Sequence, residues 1–422
     1  MRFWFHTFGC RVNQYETQVV RERMLAVGSL AVSDWESADL CLINTCTVTQ
    51  EADRDALRLL RRIARRNPAA RLVVTGCLAS RDPQAILEAA PSALVVGNEG
   101  KEELPSLLGC SSVPAFAGVS AFCGHTRAFL KVQDGCNMRC GFCIIPSVRP
   151  VLWSKPIQDL EAEARRLVAA GYREIVPCGV RLGRYLALEG GGRVDFAGML
   201  ERLLGIPGDF RIRLSSLEIT DLTDRLIALM AGSGGRLCPS LHIPLQSGSE
   251  GVLRRMRRWY SAAFYARRVE ALRSRLPEAG VFADVMTGFP GETEAEFLES
   301  RAFIEGLGFS GLHVFRYSKR AGTQAARNPG QLPERVVLER ARALRDLDRS
   351  LRAAFAARAV GSWRRVLMKD RGPAPEGLAE NFLCVRLPED PGPGFHRVRV
   401  ERSAGPLACG LLDPKGPGRQ EP

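Results

Sequence analysis

The chain has 422 residues, with 59 Lys and Arg against 46 Asp and Glu (net charge +13), 25% charged and 45% hydrophobic residues. That composition excludes a disordered or fibrous chain, and the length allows roughly two to four domains of about 100–200 residues. No apolar run nears the ~20 residues of a spanning helix, and the N-terminus MRFWFHTFGC lacks a basic flank with an apolar signal core, so a cytoplasmic protein with no membrane partner is expected.

From residue 1 to 110, apolar runs at Phe3–Phe8, Leu40–Ile43, Leu72–Val74 and Ala93–Val96 alternate with helix-like stretches at Glu16–Val27, Glu51–Arg66 and Pro83–Ala90. Strand–helix alternation with short connections predicts a small doubly wound α/β domain with a mostly parallel sheet. A small-residue stretch from Gly109, taken as 111–126, reads as a linker. Six candidate strands follow at Phe129–Gln133, Glu174–Val176, Arg211–Ser215, Leu241–Leu245, Val281–Met286 and Gly311–Phe315. Amphipathic stretches such as Leu160–Ala170, Ser261–Arg275 and Glu294–Leu307 separate them, which predicts a partial (β/α)6 barrel. With the trailing Arg-rich helix Pro333–Ala357, this unit spans 127–357. Residues 358–414 carry short β-like runs (Arg365–Met368, Phe382–Leu387, Arg397–Val400) broken by Gly and Pro, the pattern of a small all-β domain, and 415–422 read as a frayed tail.

The basic excess points to a polyanionic partner, nucleic acid first. Only six of the basic residues are Lys, so a genome-wide codon bias toward Arg could produce the same excess. The runs Arg54–Arg66, Arg254–Arg258 and Arg335–Arg352 read as solvated helix faces or phosphate contacts, and Trp259 and Tyr260 could stack on a base.

Thirteen cysteines in a reducing compartment argue for ligands rather than disulfides. Cys136, Cys140 and Cys143 have the spacing C-x3-C-x2-C directly after a candidate strand. Three thiolates on such a loop reach three irons of a cubane and leave the fourth iron open to chelate a small molecule. The alternative is zinc, which wants a closed tetrahedral set; only Cys123 or His125 stands nearby to complete one. Cys10, Cys46 and Cys77 each end an apolar run, and parallel strands bring their carboxyl ends to one sheet edge, so these three converge as a second ligand set. The bland alternative is small buried residues. Glu218, Gln246 and Ser247 stand at strand ends facing the presumed site, while His242 and His313 lie within strands and read as core histidines. GFPGET (Gly288–Thr293) reads as a strand–helix turn with Thr293 as cap, and Gly190–Gly192 as a plain flexible loop.

KVQDGCNMRCGFCIIP, with Phe142 before the last cysteine, resembles the signature of the radical S-adenosylmethionine superfamily. The resemblance implies a 4Fe–4S cluster on Cys136, Cys140 and Cys143 whose open iron binds S-adenosylmethionine, and reductive cleavage to a 5′-deoxyadenosyl radical. It implies cofactor contacts from Phe142, Gly179, Ser216, Glu218 and Gln246. Both triplets together with FGCRVNQYET, INTCTVT, EADRDALRLLRR, HIPLQSGS, MTGFPGETEAEF and HVFRYSKRAGT resemble the methylthiotransferase family, in its bacterial branch acting on N6-threonylcarbamoyladenosine beside the tRNA anticodon. That family joins an N-terminal cluster domain, a radical barrel and a C-terminal β domain (TRAM) that binds tRNA. The likeness implies a second 4Fe–4S cluster on Cys10, Cys46 and Cys77 that carries the inserted sulfur. It further implies a tRNA substrate methylthiolated at C2 of the adenine at position 37, and a low-potential electron donor of flavodoxin or ferredoxin type; the sulfur donor is unknown. The chain departs from the family pattern at Pro150, where Gly is common, and at Cys178 and Arg181 in PCGVRLGRY, where LTGVNLGxY is common. The competing readings are methylthiolation of isopentenyladenosine tRNA or of a ribosomal-protein Asp, and a non-catalytic iron–sulfur protein that binds RNA or senses redox state.

Overall fold

A computed structural model describes residues 1–110, 118–122, 126–369 and 374–413. The N-terminal unit is a parallel sheet of β1 (Arg2–Thr7), β2 (Leu30–Ala31), β3 (Leu40–Thr45), β4 (Arg71–Gly76) and β5 (Leu94–Val96), in the order β2-β1-β3-β4-β5. Helices cover both faces, which is why every residue of β3 is buried. The first helix, Arg11–Ala26, begins five residues before the apolar pattern suggested, because Cys10 takes the extended conformation of an N-cap. The next, Gln50–Arg66, is capped by Thr49, whose hydroxyl accepts from the Ala52 amide at 3.2 Å.

The central unit has six parallel strands, β6 (Arg127–Lys131), β7 (Glu174–Cys178), β8 (Arg211–Ile212), β9 (Ser240–His242), β10 (Gly280–Thr287) and β11 (Gly311–Arg316). They form two three-stranded sheets, joined through the single bridges Ile212↔Leu237 and Ser216↔His242. Helices wrap the outside: on β10, Val281, Ala283 and Val285 lie in the large core shared with them. The other face of β10 lines the inside, with Phe282 packed against Phe355 and Phe382, and Met286 grouped with Phe142. Asp284 falls between those two, on the inner face.

Two expected strands are shorter than the sequence suggested. Arg211–Ser215 and Leu241–Leu245 pair regularly only over Arg211–Ile212 and Ser240–His242. Beyond them the chain keeps single bridges and Gln246 turns to φ 67°, so the backbone leaves the ladder where the site begins. Gly190–Gly192 is no loose loop: Gly190 and Gly191, at φ 56° and 80°, turn a hairpin between Leu186–Glu189 and Gly192–Asp195. In the small-residue stretch before β6, the described Val119 and Phe122 are buried in the barrel core, and the Val119 amide donates to Glu163 at 2.7 Å.

After the long helix Glu334–Arg358, five strands between Trp363 and Leu412 close a small barrel around Val366, Val385, Val398 and Val400. It docks beneath the central unit on two buried arginines. Arg211 donates to the Arg365 and Leu378 carbonyls at 2.9 and 2.8 Å, and Arg213 to the Ala379 carbonyl at 3.0 Å. Both pair with Glu174; burial raises that carboxyl, and the two guanidiniums outweigh it and hold it at about 2. Among the described residues no helix is long and apolar enough to cross a membrane.

Candidate functional site

The parallel register delivers the first cysteine triplet to one edge. Thr7 stands opposite Asn44, and Thr45 opposite Gly76, so the residues that follow these strand ends emerge side by side. Cys46 and Cys77 are buried and Cys10 is exposed. Gly9, at φ 92°, lets the backbone beside Cys10 approach so closely that a Cβ there would lie 2.8 Å from Cys46 Sγ. The three thiols interact electrostatically, and burial pushes Cys46 up to about 11. Metal ligation would hold such a thiol as thiolate at neutral pH. Asn98 Nδ2 reaches Cys77 Sγ at 3.7 Å and donates to the Val148 carbonyl at 2.8 Å.

Behind this edge lies a buried ionic network. Glu16 pairs with Lys101, with Lys131 at 2.7 Å and with Arg149 at 2.9 Å. Asp134 pairs with Lys131 and Arg149, each at 2.6 Å. Burial raises Glu16, but Lys101, Lys131 and Arg149 outweigh it and hold the carboxyl well below its usual range. Arg149 also donates to Asn13 at 2.9 Å, and Asn13 in turn to the Phe8 and Thr45 carbonyls, each at 3.0 Å. Three cations thus face two carboxylates, one positive charge in excess, and both Lys101 and Arg149 feel Cys77. Three thiolates leave a 4Fe–4S cluster anionic, so donor set and surroundings both fit one.

The second triplet occupies the loop after β6. Arg258 Nη1 lies 3.3 Å from Cys140 Sγ, and its Nη2 is ion-paired with Glu218. Burial pushes Cys143 up to about 12, and the three thiols again sense one another. The Gly141 amide donates to the Met256 carbonyl at 2.9 Å and its carbonyl accepts from Ala325 at 2.8 Å, which ties the loop to both flanks. Phe142 packs against Val252, Met256, Phe289 and Ala325. Cys123 and His125, the candidates expected from the sequence for a fourth ligand, lie outside the described residues.

Gly135, at φ 78°, sets the entry to this loop: a Cβ there would lie 1.9 Å from the Val151 carbonyl oxygen. Gly135→Ala should therefore cost more than the about 1–3 kcal/mol of backbone strain alone. The expected result is severalfold lower iron uptake by this triplet, read as iron per chain after anaerobic reconstitution.

The remaining candidate residues scatter around the cleft. Glu218 is brought to the cysteine loop through Arg258; Ser216 is exposed and bridges His242; the Gln246 carbonyl accepts from Met286 at 2.8 Å. A Cβ on Gly179 would lie 2.9 Å from Gln133 Oε1, which accepts from the Arg181 amide at 2.7 Å. Of the departures, Cys178 is buried at the end of β7 and interacts with Cys10, Arg181 is buried near Asp221 with its guanidinium over Trp259, and Pro150 is exposed. Tyr260 cannot stack on a base as expected: it is buried, with its hydroxyl donating to the Leu245 carbonyl at 2.8 Å and the Pro244 carbonyl 3.0 Å away. His313 is not a core histidine, since its side chain is 50% exposed; it and the largely buried His242 both meet Asp284 on the inner face. Arg258, expected with the run Arg254–Arg258 to face solvent or phosphate, instead buries its side chain against Glu218 and Cys140; Glu16, Lys101 and Arg149 carry no signal in the sequence, where each is one charged residue among many.

The N-terminal unit clamps both ends of the open barrel. Glu16 holds Lys131 of β6, while Arg320, beyond β11, donates to Thr47 Oγ1 at 2.7 Å, and Gln50 Nε2 donates to the Lys319 carbonyl at 3.1 Å.

Comparison with known proteins gives consistent matches. Residues 2–97 match the uncharacterized protein family UPF0004 and residues 130–304 the radical SAM superfamily. The chain is 40% identical over 404 residues to the threonylcarbamoyladenosine tRNA methylthiotransferase MtaB of Bacillus subtilis, covering 90% of this chain and 89% of that protein. It is 36% identical to MtaB of Thermotoga maritima over 98% of each chain. A tRNA-2-methylthio-N(6)-dimethylallyladenosine synthase of Novosphingobium aromaticivorans is 33% identical over 88% of each chain. Among solved structures, the radical S-adenosylmethionine methyltransferase TsrM of Kitasatospora setae superposes with a TM-score of 0.54 at 14% identity, over 75% of this chain and 74% of that one. That likeness concerns the fold alone.

Proposed function

The chain belongs to the threonylcarbamoyladenosine tRNA methylthiotransferases, and from that membership we propose a division of labour between its two cysteine triplets. It is a radical S-adenosylmethionine enzyme that methylthiolates threonylcarbamoyladenosine in tRNA. Cys136, Cys140 and Cys143 hold the 4Fe–4S cluster that binds S-adenosylmethionine, and Cys10, Cys46 and Cys77 hold a second cluster that carries the sulfur. When bound, these groups supply one-electron chemistry at adenine C2, whose C–H bond is neither acidic nor electrophilic enough for acid–base catalysis. The base acted on is that at position 37, beside the anticodon.

The protein's own residues position and shield. Arg258, fixed between Glu218 and Cys140, places a positive charge against the barrel triplet. Lys101 and Arg149 do the same behind Cys77. Phe142, Met256 and Phe289 pack one side of the cysteine loop with apolar groups. Glu218, Gln246, Ser216, Gly179 and Phe142 remain the candidates to receive S-adenosylmethionine. The small C-terminal barrel is a TRAM-like domain, and its exposed Arg397 and Arg399 suit tRNA phosphates. Turnover draws electrons from a flavodoxin or ferredoxin in the cytoplasm.

The observation that carries this reading is the delivery of three widely spaced cysteines to one sheet edge by adjacent parallel strands, in a unit clamped across the barrel that bears C-x3-C-x2-C. The test is nucleoside mass spectrometry of tRNA from a host whose own threonylcarbamoyladenosine methylthiotransferase is deleted. Expression of this chain should produce 2-methylthio-N6-threonylcarbamoyladenosine. A 2-methylthio product only on dimethylallyladenosine would replace the substrate, and no product with intact iron would sink the reading.

A further inference from the structure

His242, Asp284 and His313 stand on three neighbouring strands of the barrel, β9, β10 and β11. Asp284 Oδ1 lies 2.7 Å from His242 Nε2 and 3.4 Å from His313 Nδ1, and the two imidazole rings are tilted 45° with centroids 4.6 Å apart. Burial raises the Asp284 carboxyl, but the hydrogen bond to His242 and the nearby His313 outweigh that and hold it at about 2, so it is an anion at every working pH. With one nitrogen of each ring engaged by this anion, His313 Nε2 and His242 Nδ1 have no protein partner among the described residues. The His313 side chain is 50% exposed, although it sits within a barrel strand.

The position of the triad gives these nitrogens a purpose. Asp284 shares the inner face of β10 with Met286, which is grouped with Phe142 of the cysteine loop. Two residues along a strand are about 6.6 Å, so the triad lies one layer below the cysteine loop, and Phe282 closes the next layer against the C-terminal barrel. Below the chemistry and above an apolar floor, the inner wall is polar at this layer.

The relatives named above differ in what their substrate carries on N6. A threonylcarbamoyl group ends in a hydroxyl and a carboxylate; a dimethylallyl group is hydrocarbon. A protein that acts on the former needs hydrogen-bonding groups inside the cleft, and such groups also reject the latter, because they would be left buried without a partner. We propose that His313, with His242 beside it and Asp284 as the positioning residue behind both, binds the polar threonyl end of the N6 substituent and sets substrate choice. This rests on the reading of the chain as a threonylcarbamoyladenosine methylthiotransferase. A shared cation is the other occupant such donors invite, since their ligand atoms all lie within 4.8 Å. The 2.7 Å contact of His242 with Asp284 is already a direct hydrogen bond, which a cation would have to break.

The test uses reconstituted holoenzyme and two purified tRNAs, one bearing threonylcarbamoyladenosine and one bearing dimethylallyladenosine. His313→Phe keeps bulk and removes the hydrogen bond; His313→Asn restores one. In His313→Phe, KM for the threonylcarbamoyl tRNA should rise about 10–100-fold with kcat within a few-fold and iron content retained. His313→Asn should recover most of that loss, and discrimination against the dimethylallyl tRNA should shrink. Should His313→Phe lose iron, the isosteric Asp284→Asn carries the same comparison. An unchanged KM, or a fall in kcat alone, would overturn the inference. So would one zinc or manganese per wild-type chain that the variant loses. Wild-type enzyme inactive on the threonylcarbamoyl tRNA would instead bring down the substrate reading beneath it, a result told apart by the wild-type control.

Discussion

Cys77→Ala is expected to abolish 2-methylthio-N6-threonylcarbamoyladenosine formation, to lower iron from about eight to about four per chain, and to leave S-adenosylmethionine cleavage running. Cys77 is buried at the start of a helix directly after β4, so the truncation removes the proposed ligand without disturbing a strand. The barrel triplet stands on a different loop with its own supports, Gly141 to Met256 and Arg258 to Cys140, and none of these contacts runs through Cys77. The variant should therefore still make 5′-deoxyadenosine when reduced with S-adenosylmethionine, whereas Cys140→Ala should make neither product. Iron analysis, 5′-deoxyadenosine by chromatography and nucleoside mass spectrometry separate the two. Retained methylthiolation in Cys77→Ala would remove Cys77 from the sulfur-carrying role.

The contrast between these cysteines and the rest of the site shows where legibility ends. C-x3-C-x2-C is a local pattern, and local spacing on one loop is enough to converge three thiols. The other triplet was readable because strand ends in a parallel sheet share an edge, a rule of topology that needs no side-chain detail. Arg258 is different. In the sequence it is one arginine of RRMRR, and only the fold reveals that it turns inward to Glu218 and Cys140 while Arg255 pairs with Glu296. The Glu16–Arg149 pair joins residues 133 positions apart across two units, which no periodicity can signal. Helix Glu294–Leu307 matched its expected limits because its capping box, Thr293 with Glu296, is written in adjacent residues. Strands β8 and β9 came out shorter because their ends are shaped by the site. His313 looked like a core residue because strand alternation does not tell which face of a barrel strand is packed and which lines a cleft.

Glu16→Gln is the second variant with a large expected effect, and its effect is on the scaffold. Removing this carboxylate leaves Lys101, Lys131 and Arg149 against Asp134 alone, all of them at most 18% exposed in their side chains. Breaking a buried ion network by deleting one partner costs about 3–5 kcal/mol, because the charges that remain cannot be resolvated. The network is also the seam between the first helix, which carries Glu16, and the barrel, which supplies Lys131 and Arg149. Loosening of that seam should lower the denaturant midpoint and reduce iron at the N-terminal triplet. The pH dependence follows in sign. Glu16 and Asp134 are held below their unfolded values of 4.5 and 3.8. Their contribution is therefore complete above about pH 4.5 and is lost as pH falls through the lower folded values. Glu174, held at about 2, and Asp284 act in the same window. Wild-type stability should thus fall steeply below pH 4.5, and Glu16→Gln, already lacking its share, should fall less steeply from a lower plateau. Urea melts of the two proteins between pH 3 and 7 measure this directly; parallel acid limbs would show that Glu16 carries no such linkage.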